Sequence, residues 1–67
     1  MKSTKFKIYY LNGNETYVYA MTIYNAVIKG MFNAIERGED KHIMYIEDLD
    51  NNKVYGDIDL KISIEEK

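Results

Sequence analysis

KVYGDIDLKISI, residues 53–64, alternates apolar and polar side chains along its length. Successive side chains of a strand point to opposite faces. Val54, Gly56, Ile58, Leu60, Ile62 and Ile64 therefore form one face, and Tyr55, Asp57, Asp59, Lys61 and Ser63 the other. A strand with one apolar face needs a cover on that side only. The rest of the chain must supply neighbouring strands and that cover.

The cover is read from residues 23–36. Their apolar positions change from a period of two to a helical period, with Ile23, Tyr24, Val27, Ile28, Met31, Ala34 and Ile35 in one broad stripe. Phe32 lies at the margin of the stripe. Thr22 is placed to cap the first turn, and Gly38 to end the helix in a left-handed conformation. Gly30, inside the helix, costs about 1 kcal/mol relative to Ala. It marks a candidate point of close approach.

Residues 5–11 (KFKIYYL) and 15–20 (ETYVYA) are rich in aromatic and β-branched side chains and read as strands. Asn12-Gly13-Asn14 between them is a hairpin signal, because Asn and Gly accept positive φ cheaply. A three-residue loop pairs Leu11 with Glu15 and Ile8 with Val18. Phe6, Ile8, Tyr10, Thr16, Val18 and Ala20 then share one face, opposite Lys5, Lys7, Tyr9, Tyr17 and Tyr19. Residues 42–48 (HIMYIED) form a third strand, with Met44 and Ile46 on one face and Ile43, Tyr45 and Glu47 on the other. Asp50-Asn51-Asn52 makes the second turn.

The expected class is α+β: β-β-α-β-β, one four-stranded sheet with a single helix packed on one face, in a single domain spanning 1–67. This element order resembles the β-grasp layout of small immunoglobulin-binding domains and the core of ubiquitin. The resemblance implies that the first and last strands lie parallel at the centre, in the order 2-1-4-3.

Composition narrows the function. The chain has no cysteine, which excludes disulfides and thiolate metal sites. There is no run of roughly 20 apolar residues for a membrane span and no apolar leader after Met1, so the expected location is the cytoplasm. His42 is the sole histidine, and no hydroxyl has a base near it in sequence. A nucleophile needs both a base and an orienting partner, so no catalytic residues, no metal site and no cofactor are expected. Asp48-x-Asp50-x-Asn52 has the spacing of a calcium loop, but Lys53 stands where that loop needs Gly.

Two constellations remain. Seven tyrosines are present, and Tyr9, Tyr17, Tyr19, Tyr45 and Tyr55 are expected on the uncovered sheet face. Exposed aromatic area of that kind marks an interface. With Lys5 and Lys7 among these side chains, the face suits a second copy of the chain, a protein partner, or stacking of single-stranded nucleic acid. The charges are also divided. Residues 1–35 carry four lysines against one glutamate (+3), and residues 36–67 ten acids against five bases (−5). Pairing of Tyr45 with Asp57 and Ile43 with Asp59 would gather Glu47, Asp48, Asp50, Asp57 and Asp59 beside the tyrosines. Carboxylates in rows imitate phosphates and attract a basic protein.

In size and composition (rich in Ile, Lys, Asn and Tyr, without Pro, Cys or Trp) the chain resembles small early host-takeover or anti-defence proteins of phages of low-GC Gram-positive bacteria. That resemblance implies a non-catalytic inhibitor occupying a host protein, here one that binds or processes DNA. The acidic surface with Tyr45 and Tyr55 would serve as a partial DNA mimic. The alternatives are a nucleic-acid-binding module on the Lys/Tyr face and a structural homo-oligomer, with a homodimer the expected state.

Overall fold

A computed structural model of the chain describes residues 3–56. The elements follow the expected order: β1 (Thr4–Tyr10), β2 (Glu15–Ala20), α1 (Ile23–Glu36), β3 (Ile43–Asp48) and β4 (Lys53–Tyr55). They form an α+β fold, one four-stranded antiparallel sheet with a single helix. The expected run of β4 beyond Gly56, including Ile58, Leu60, Ile62 and Ile64, lies outside the described residues.

Strand order departs from the β-grasp expectation. The order is β2-β1-β3-β4, with β3 rather than β4 beside β1 and antiparallel to it. The side chains give the reason. Ile46 of β3 lies opposite Ile8 of β1, and both are fully buried. Tyr45 lies opposite Tyr9 and stacks on it. Leu49 N donating to Lys5 O and Leu11 N donating to His42 O close the two ends of this pairing.

The first hairpin has the expected faces with the loop one position earlier. Tyr10 N donates to Asn14 O at 2.9 Å, and Gly13 N to Tyr10 O at 3.0 Å, so the loop is Leu11-Asn12-Gly13. Gly13 takes the positive φ (91°) that ends such a loop. Ile8 consequently pairs with Thr16 rather than Val18. Both strands shift together, so side-chain parity is unchanged: Phe6, Ile8, Tyr10, Val18 and Ala20 are all buried under the helix.

Parity changes in β3 and β4. Tyr9 pairs with Tyr45 but Tyr10 with Ile43, which makes Met44 the extra residue of a β-bulge. Ile43 is thereby turned onto the core and Met44 out to solvent, the reverse of simple alternation. The second loop has four residues, 49–52, because Asp48 pairs with Lys53; Asn52 accepts a φ of 53° in it. One residue more than expected moves Tyr55 to the core side, where it packs on the cluster, and leaves Val54 exposed on the other.

Helix α1 is capped as its sequence indicates. Thr22 Oγ1 accepts from Asn25 N at 3.1 Å. At the other end Gly38 N donates to Ile35 O and Glu39 N to Ala34 O, with Gly38 at φ 71°. The helix lies chiefly over β2 and also contacts β3. It packs by its smallest side chains: Ala26, Val27, Gly30 and Ala34 are buried, whereas Phe32 (60% exposed) and Ile35 (51%) face outward. The buried stripe is thus rotated from the expected one. Small residues allow the close approach in which Tyr10 Oη donates to Gly30 O.

Candidate functional site: the open tyrosine face

With α1 on one side, the odd-numbered residues of β1 and β2 emerge on the other. Lys5 pairs with Tyr19, Lys7 with Tyr17 and Tyr9 with Glu15, so lysines and tyrosines alternate across both strands. β3 adds Tyr45 beside Tyr9 and Glu47 beside Lys7, and β4 adds Val54 opposite Glu47.

The centre of this face is ordered by aromatic contacts. The Tyr9 and Tyr45 rings stack with centroids 4.2 Å apart, inclined by 27°. Lys7 Nζ lies 5.0 Å from the Tyr9 ring and 5.6 Å from the Tyr17 ring, and Lys5 Nζ 4.7 Å from Tyr17, within cation–π range. Lys7 also pairs with Glu15 Oε1 at 3.3 Å, and Tyr9 Oη donates to Glu47 Oε1 at 3.3 Å. The Tyr9 hydroxyl and then Glu15 hold the Lys7 ammonium well above the usual lysine range. Loss of water around Tyr45, reinforced by Tyr9 and Glu47, pushes that phenol up as well. Both groups therefore keep their protons at neutral pH.

The rim is more accessible. Tyr17 and Tyr19 on β2 are 50% and 58% exposed, and Val54 on the far side is also exposed. Among the described residues the face carries Lys5 and Lys7 against Glu15 and Glu47, so their formal charge is balanced.

Of the expected acidic cluster, the described members Glu47, Asp48 and Asp50 do not come together on the tyrosine face. Asp48 is only 5% exposed. Its Oδ1 accepts from Asp50 N (3.1 Å) and Asn51 N (3.0 Å), and its Oδ2 from Asn51 Nδ2 (2.8 Å). Both oxygens are committed to shaping the 49–52 loop. Asp50 is exposed and accepts from Lys5 N at 3.3 Å. Tyr55 is on the helix side, and Asp57 and Asp59 lie outside the described residues. Of the expected partner-binding set, Tyr45 and Glu47 are on the tyrosine face, whereas Lys5, Lys7, Tyr9, Tyr17 and Tyr19 come together on it as expected. Glu15 and Val54 were not singled out as site residues. The 7-to-15 offset, diagonal across the hairpin, was the available signal for Glu15; Val54 depends on loop length.

Among the described residues no group of three or more metal-ligating side chains forms, and no helix is long and apolar enough to cross a membrane. No protein-family model, curated protein or solved structure matches this chain.

Proposed function

We propose that this chain is a non-catalytic binding protein whose working surface is the open tyrosine face, and that its partner is a protein. The observation that carries this reading is the pairing of exposed Tyr17 and Tyr19 with a pre-ordered Tyr9–Tyr45 stack on a face of balanced charge. Tyrosine anchors an interface by burying a large ring while its hydroxyl keeps a hydrogen bond. A stack already fixed in place loses little side-chain entropy on binding. Balanced charge favours a protein surface over a polyanion.

In its finer form the reading is a phage-type inhibitor occupying a host protein in the cytoplasm. Glu47 and Asp50 at the β3 border would then meet basic residues of a DNA-handling partner. The test compares immobilised wild-type chain with Tyr17→Ser/Tyr19→Ser in bacterial lysate at low salt. A protein captured by the wild type and lost with the double variant supports the reading. Equal capture by both, or none by either, rejects it.

One observation favours a second reading, single-stranded nucleic acid: Lys5 and Lys7 lie over the tyrosine rings, where phosphates could follow stacked bases. Such binding falls steeply with salt. Titrating a labelled single strand at two salt concentrations separates the readings, and no binding at low salt removes this one.

A further inference from the structure

Strand β2 is an edge: among the described residues it pairs with β1 alone. The hairpin identifies which of its backbone groups face outward. Tyr10 N donates to Asn14 O, and hydrogen-bonded pairs alternate with non-bonded pairs in an antiparallel ladder. The even residues of β2 are therefore spent on β1, and the N–H and C=O groups of Glu15, Tyr17 and Tyr19 point away from it. Lys29 Nζ donates to Tyr19 O on that free side, covering one acceptor of an exposed edge with a lysine.

Beside this edge runs a groove of about 410 Å³ whose helical wall includes Lys29, Phe32 and Glu36. Lys29 is level with Tyr19. Two residues back along the strand, about 6.8 Å, correspond to about 4.5 residues of helix. Tyr17 is thus level with the turn that follows Phe32, between Lys29 and Glu36, and all four side chains line the groove.

We propose that two copies of this chain pair through antiparallel β2 edges, with the two-fold axis at Tyr17, to form one continuous eight-stranded sheet. A two-fold interface must be complementary to itself, and this edge is. Tyr17 meets Tyr17 of the second copy, and Glu15 meets Tyr19, all of them positions with outward backbone groups. On the helix side the same axis sets Lys29 opposite Glu36 of the second copy, and Glu36 opposite Lys29, with the two exposed Phe32 rings between them. Tyr19 O exchanges the lysine for a backbone N–H, and Lys29 is released to the carboxylate. The tyrosine face keeps its solvent side and doubles in width, and substitutions at Lys29, Phe32 and Glu36 on the helix side test pairing without altering the tyrosines of the partner site.

The test is sedimentation of the full chain across a concentration series. Expected is a dimer that Phe32→Asp converts to monomer. Lys29→Glu and Glu36→Lys each weaken it about tenfold, since each replaces two attractive rim pairs with two repulsive ones. The double variant Lys29→Glu/Glu36→Lys restores it. All three positions are exposed, and circular dichroism confirms that the variants remain folded. A monomer at every concentration, a dimer indifferent to these substitutions, or a double variant no tighter than the singles overturns the proposal.

Discussion

At the residue scale the contact between Gly30 and β1 governs how closely helix and sheet approach. A Cβ added at Gly30 would lie 3.1 and 3.2 Å from Ile8 Cγ2 and Cγ1, and 3.4 Å from Ile43 Cδ1. Ile8 is fully buried and has nowhere to move. Replacing an interior helical glycine by alanine gains about 1 kcal/mol of helix propensity. Overpacking a filled core costs about 1–3 kcal/mol, so the packing effect wins. Gly30→Ala is predicted to lower unfolding free energy by about 1 kcal/mol, read from the urea midpoint at an unchanged slope. A gain in stability would show that Gly30 is no more than a weak helical position.

At the element scale the two loops decide which side chains each strand presents. Asp48 is the main organiser of the second loop, through three hydrogen bonds from residues 50 and 51. Asp48→Ala leaves those donors without an acceptor and is predicted to cost about 2 kcal/mol, with Asp48→Asn costing about half as much. Denaturant midpoints check both, and amide exchange should quicken first in β3 and β4. Local signals in the sequence were sufficient for β1, β2 and the caps of α1. Period-two alternation, Gly13, Thr22 and Gly38 each act within a few residues of themselves. Strand order was not legible, because whether β3 or β4 lies beside β1 is settled by Ile46 meeting Ile8 across the sheet. The bulge at Met44 and the fourth loop residue were hidden for a related reason. Each changes parity by one position while leaving composition untouched. The site was legible to the same extent as the strands: the Lys/Tyr set on β1 and β2 follows from alternation, whereas Asp48 was taken up by the 49–52 loop and Glu47 alone of the β3 acids reached the tyrosine face.

At the scale of the whole molecule, the protein has one dry side and one aromatic, charge-balanced side, and protons matter differently on each. Burial under the helix pushes the Tyr10 phenol above its ordinary value of 10.0, and Tyr45 and Lys7 on the open face are also raised. A group whose pKa is higher in the folded state holds its proton more tightly there. Its stabilisation is complete below the unfolded pKa and is lost as pH rises toward the folded one. Stability is therefore predicted to be independent of these three groups between pH 7 and about 9, and to fall above about pH 10. Urea midpoints across that range test this. A decline beginning near neutrality would point to other groups. Tyr10→Phe should soften the alkaline decline, since it removes the one buried phenol among the three.

The four-residue loop between Asp48 and Lys53 also has a consequence for how this surface can vary through descent. Substitutions in the loop alter stability and leave the outline of the molecule as it is. A single-codon deletion there would exchange Tyr55 and Val54 between the dry and wet sides in one step, without replacing any amino acid on either. Length changes in that turn are thus the shortest mutational route to a new recognition surface on the β4 border, and loss or gain of two codons together preserves the old one.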